Sequence, residues 1–185
     1  MTDWSQVVQQ HGPIVWKTAY RLLSNEADAS DCFQNTFVSA LELSRVEAVR
    51  NWPGLLKRLA TARALERLRQ RYREATRLTR LPDDFGGPGK VAEPSRLAET
   101  AELAEHLRRA LAEIDAREAE VFCLACVEGL DYRQIAEQMG ITANHVGVLL
   151  HRAKSSLRER LGAHGPAPAH GAAPGGEHSP KETRP

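Results

Sequence analysis

The stretch Asp131–Lys154, DYRQIAEQMGITANHVGVLLHRAK, constrains the fold of this chain more than any other. Ile135, Ala136, Met139, Ile141, Val146, Leu150 and Ala153 recur at helical spacing on both sides of Gly140. Two short helices closing on one small core satisfy that pattern. Ala136 is small where the helices must approach, and Gly140 permits a tight turn between them. Asp131 and Gln134 make a capping pair before the first helix, and Thr142 caps the second. Such a turn sets the second helix across the first, able to enter a major groove about 12 Å wide. An ordinary hairpin within a helical bundle would have the same core. The centre of the second helix, Gly147-Val148-Leu149, is apolar where polar readers of DNA are expected.

The rest of the chain is also helical in pattern, and we expect an all-α protein of two small domains. Only 5% of the 185 residues are aromatic, so the core must come from Leu, Ala, Val and Ile, a set that suits helices. A short helix around Trp4–Gln10 is expected to break at Gly12-Pro13 before a second one reaches Leu23. The stretch SNEADASDCFQNTFVSALELS starts with capping residues and acids, which favour a helix N-terminus. Asn51 then caps a long helix with Pro53 in its first turn and Leu55, Leu56, Leu59, Leu65 and Leu68 on its buried side. The turn-rich segment 81–95 reads as a flexible linker between a first domain, 1–80, and a second, 96–162. In the second domain one helix runs from about Arg96 to Glu113, and Asp115 with Glu118 opens another that ends near Glu128-Gly129. The tail 163–185 cannot bury enough apolar surface to order itself, and is expected to be disordered.

Charge is uneven. Residues 51–80 hold nine Lys/Arg against two Glu, a balance of +7, whereas residues 81–120 hold five Lys/Arg against ten Asp/Glu, a balance of −5. A segment of the first kind faces an anion. No apolar run approaches the roughly 20 residues of a membrane span, and the first residues lack a signal-peptide pattern, so a cytoplasmic protein without membrane insertion is expected. Cys123 and Cys126 lie in an apolar helix with no second pair to complete a tetrahedral site. No nucleophile–base arrangement or phosphate-cradling loop is visible, so neither an enzyme nor a metal or cofactor site is expected.

Two motifs together carry a family resemblance. LACVEGLDYRQIAEQMGITANHVGVLLHRAKSSLRERL resembles region 4 of bacterial sigma factors, above all the extracytoplasmic-function (ECF) group. NEADASDCFQNTFVSAL resembles their region 2, whose usual form D-x-x-D-x-x-Q-E-x-F reads here Asp28, Asp31, Gln34, Asn35 and Phe37. NWPGLLKRLATARALERLRQR resembles the continuation of region 2 that handles the −10 promoter element. The resemblance covers about residues 3–161, in the expected order.

It implies a factor that binds core RNA polymerase, directs it to a promoter and helps to open the duplex. Asp28, Asp31, Gln34, Asn35 and Phe37 would meet the polymerase clamp, with Asn35 standing where the family usually has Glu. The −10 element would be met by Asn51, Trp52, Lys57, Arg58, Arg63, Arg67 and Arg71. The five cations would neutralise phosphates, and the Val46–Trp52 loop would hold a flipped base, on which Trp52 could stack. Ala64 stands where relatives often carry Asn. The −35 element would fall to Arg133, Asn144, His145, Val148, His151 and Arg152. Gly147 and Leu149 replace the family's usual Lys or Arg; Gly147 would allow close backbone approach, and Val148 or Leu149 would touch thymine methyls. An anti-sigma factor is a common partner in the family. The alternatives are a helix-turn-helix regulator that does not engage core polymerase, and a helical adaptor that binds only proteins.

Overall fold

Capping residues set most of the helix boundaries. The computed structural model describes residues 2–79 and 96–164, and the expected linker at 81–95 and the tail beyond 164 lie outside them. Helix α1 (Trp4–Leu23) starts at Asp3, whose carboxylate accepts from Gln6 N at 3.2 Å. Asn25 does the same for α2 (Glu26–Val46), accepting from Asp28 N at 2.9 Å. Asn51 accepts from Gly54 N at 3.0 Å and opens the long basic α3 (Trp52–Thr79). The second assembly comprises α4 (Arg96–Glu113), α5 (Ala116–Phe122), a π-helical turn at Cys123–Val127, α6 (Tyr132–Met139) and α7 (Ala143–His164). All the regular elements among the described residues are helical, as the apolar periodicity predicts.

Two expectations about local structure are corrected. Gly12-Pro13 does not break the chain, because α1 runs through it without interruption. Pro13 lacks one donor, but Val7 and Val15, on either side of it, are both buried in the same core. Gly12 lies under the Phe33 ring, where a Cβ would meet the ring at 3.6 Å. Tertiary burial outweighs the lost hydrogen bond. The helix from Asp115 also changes form before its end. After Phe122 it widens to a π turn, with Glu128 N bonded to Cys123 O and Leu130 N to Leu124 O, both at 2.9 Å.

Three buried clusters hold the molecule. One belongs to α1–α3 and contains Val7, Val15, Phe37, Ala40, Leu56 and Ala60. A second belongs to the α5–α7 region, with Val121, Leu124, Ile135, Val146, Leu149 and Leu150. The largest joins the two assemblies: Leu22, Leu23, Leu65 and Leu68 pack with Leu111, Ile114, Cys123, Ala153 and Leu157. Two helical assemblies are present, as the sequence leads one to expect, and they share a core that it gives no sign of.

Candidate nucleic-acid interface

The candidate recognition face is built from α6 and α7. Asp131 and Gln134 form a reciprocal capping box, their side chains and backbone bonded at 2.8 and 3.0 Å. Gly140 takes φ +64°, the left-handed turn that lets α7 cross α6. Thr142 accepts from His145 N at 3.2 Å and fixes the start of α7. Ile135, Val146, Leu150 and Ala153 then face inward. Arg133, Asn144, His145, Val148, His151 and Arg152 are all exposed. Leu149 is not part of this face: at 6% exposure it fills the core, so it is removed as a thymine contact. Gly147 lies beside Tyr132, whose ring is 3.6 Å from where a Cβ would stand. Tyr132, Asn144, Gly147, Val148, His151 and Arg152 line an open groove of about 430 Å³. Tyr132 was not legible as a site residue, because only the fold brings it to Gly147.

On α2 the periodicity places Asp31, Gln34, Asn35 and Val38 on one stripe, and all four are exposed. Val38, 53% exposed, had a signal in sequence: it lies one heptad after Asp31. Asp28 and Phe37 depart from the expected set. Asp28 is 7% exposed, and its carboxylate takes Arg67 at 2.8 Å and Arg71 at 4.0 Å. Phe37 is buried and packs edge-on to Phe33, with ring centroids 5.0 Å apart. Asp28 is held by α3, though it still lines an open cleft beside Asp31 and Asn35, and Phe37 lies in the core shared with α1 and α3.

On α3, Asn51 is occupied as a cap, and Trp52 packs edge-on to Trp4 at 5.4 Å, which makes it a hydrophobic anchor. Ala64 is fully buried, so its substitution for Asn removes nothing from the surface. Arg63 is exposed and bonds Glu66 at 2.9 Å and Ser39 at 3.0 Å. Lys57, Arg58 and Arg71 reach across to carboxylates of the second assembly: Glu128 at 4.0 Å, Glu120 at 3.3 Å and Glu105 at 3.7 Å. Burial pushes the Glu120 carboxyl up, in spite of Arg58. Burial also acts upward on Glu105, but the Tyr72 hydroxyl, Arg71 and Arg108 bring it below its ordinary value. A cleft of about 380 Å³ opens between Arg50, Asn51 and Leu55 on one side and Glu137 and Gln138 of α6 on the other.

Cysteine chemistry is not part of either face. Cys123 is buried and its thiol is pushed up to about 12, mainly by desolvation. Cys126, on the π turn, is exposed. Among the described residues no group of His, Cys, Asp and Glu could hold a metal ion. No helix among them is long and apolar enough to cross a membrane.

Comparison with known proteins agrees with this geometry. Residues 7–74 match the profile of Sigma-70 region 2, and residues 104–157 that of Sigma-70, region 4. The RNA polymerase sigma factor CarQ of Myxococcus xanthus is 30% identical over 158 residues, which cover 83% of this chain and 86% of CarQ. The ECF RNA polymerase sigma factor SigE of Mycolicibacterium smegmatis is also 30% identical, over 89% of this chain. The chain belongs to the RNA polymerase sigma factors. It spans 63% of the length of SigE. Two solved structures share the fold: CnrH in complex with the cytosolic domain of CnrY (24% identity, 88% of this chain, 89% of that one, TM-score 0.53), and the sigma factor RpoE of Bartonella quintana in complex with the anti-sigma factor NepR (20% identity, 88% and 98%, TM-score 0.50).

Proposed function

We propose that this sigma factor binds core RNA polymerase through α2, recognises −10 and −35 promoter elements through α3 and α7, and so starts transcription. The observation that carries the reading is the state of the α6–α7 face: six polar, cationic or apolar readers stand exposed together on a turn held by a complete capping box. Asp31, Gln34, Asn35 and Val38 form the polymerase contact, where a carboxylate can pair with cations of the partner. The −10 part falls to Arg63 with Lys57, Arg58 and Arg71, as contacts to phosphate that carry position more than sequence. Residues 1–80 and 96–162 act as its two functional domains. The factor performs no bond chemistry itself and works in the cytoplasm, where polymerase and DNA are. An anti-sigma partner is part of the proposal, by analogy with the complex of RpoE with the anti-sigma factor NepR.

In vitro transcription with purified core polymerase and a random promoter library tests this directly. Enrichment of a two-part promoter, lost when Asp31 and Gln34 are both changed to Ala, is the expected result. DNA binding without any association with core polymerase would instead make the protein a helix-turn-helix regulator.

A further inference from the structure

Gly147 stands half-buried in the interior of α7, on the outward face shared with Asn144 and His151. Glycine is the poorest residue for a helix interior after proline. Nothing in the packing demands it here. Gly147 is not among the glycines with positive φ, which are Gly129 and Gly140. A Cβ on it would meet only the Tyr132 ring, at an ordinary contact distance of 3.6 Å. The fold would accept alanine, so what glycine supplies at this position is open space.

The surroundings of that space are apolar. Tyr132 of α6 and Val148 of α7, 46% and 42% exposed, are the large hydrophobic side chains left open on these two helices. The Tyr132 ring makes one wall, Val148 closes the other side, and the Gly147 backbone is the floor. The N–H and carbonyl of a residue inside a helix are bonded along the helix, so the floor offers no free donor or acceptor. Asn144, His151 and Arg152 surround the notch with polar groups.

We infer that Tyr132, Gly147 and Val148 form a notch for the C5 methyl group of a pyrimidine in the −35 element. This rests on the reading of the α6–α7 face as the part that meets the −35 element. Base edges in the major groove present donors and acceptors, with that methyl as the one apolar exception. A polar edge pressed into the notch would lose its water without gaining a bond. The methyl, by contrast, leaves water with a gain. Thymine and 5-methylcytosine carry the same group at the same place on the ring. Recognition of the second would make promoter choice respond to cytosine methylation. Tyr132 and Gly147 are thereby specificity-determining residues, with Asn144, His151 and Arg152 left to make the polar contacts around them.

The test uses the full chain bound to core polymerase and a labelled promoter whose −35 element is selected from a random library. Each thymine of that element is replaced in turn by uracil, which removes only the methyl. Each cytosine is replaced by 5-methylcytosine, which adds only the methyl. Competition binding reads the affinity. One position is expected to respond, with the methylated base bound roughly fourfold more tightly, as burial of one methyl gives. A responding thymine assigns the notch to sequence reading, and a responding cytosine assigns it to a methylation mark. Gly147→Ala fills the floor and should erase the difference. Tyr132→Ala should erase it too, whereas Tyr132→Phe keeps the ring and should retain it. Alanine favours the helix at position 147, so the Gly147→Ala result stands even if Tyr132→Ala fails to fold. A response that survives Gly147→Ala would overturn the inference. A selected −35 element with no methyl response at any position sinks the notch and keeps the −35 reading of the face. Selection of no −35 element at all sinks both.

Discussion

Asp28 and Asp31 are one helical turn apart and carry the same carboxylate, yet they do different work. Asp28 points inward to Arg67 and Arg71, whereas Asp31 is exposed on the α2 stripe. The motif made both legible, but spacing alone could not say which one α3 would claim. Asp28→Asn is therefore expected to lower stability by about 1–3 kcal/mol, the cost of weakening a buried charge-assisted bond. Asp31→Ala should leave thermal unfolding unchanged and weaken core polymerase binding. Equal melting temperatures for the two variants would return Asp28 to the interface. On the other face, Val148 is the exposed apolar residue left once Leu149 is assigned to the core. If Val148 meets a thymine methyl, replacing that thymine by uracil removes one methyl contact, about 0.8 kcal/mol or roughly fourfold in affinity. Scanning thymine-to-uracil changes across the −35 element should find one such position, and Val148→Ala should abolish the difference. A response that survives Val148→Ala would move the contact to another side chain.

At the level of elements, short-range chemistry was readable and long-range packing was not. Asp115, Asn51, Thr142 and the Asp131–Gln134 box all cap as their residue types suggest, because a cap is settled within three residues. The continuity of α1 through Pro13 was not readable, because it depends on the Phe33 ring and on a core shared with α2 and α3. The π turn at Cys123–Val127 likewise has no local signature. The turn of the recognition unit is the strictest local requirement. Gly140 takes φ +64°, and nothing lies within 4 Å of where its Cβ would be, so the demand there is purely conformational. Gly140→Ala should cost about 1 kcal/mol by strain at positive φ, visible in denaturant titration. Gly140→Asn, a residue that tolerates this region, should recover part of the loss. If both variants match the wild type, the turn would have to be made in another way.

For the whole molecule, the sequence showed two assemblies and their order, but not the core between them. The apolar stripes of α1, α3, α4 and α7 each look like the buried side of a separate bundle. Nothing in their periodicity says that Leu65 and Leu68 meet Leu111 and Ile114. That shared core has a thermodynamic consequence. All three tryptophans, Trp4, Trp16 and Trp52, belong to α1 and α3, so tryptophan fluorescence follows only the first assembly, whereas helical circular dichroism follows both. Leu111 belongs to the second assembly and is 2% exposed in the common core. Leu111→Ala leaves a cavity there and should cost about 2–4 kcal/mol. Because the cavity borders Leu22 and Leu65 as well, both signals should shift together, as one cooperative unit requires. If the fluorescence midpoint stays in place while the helical midpoint falls, the assemblies unfold independently, and the shared core does not couple them.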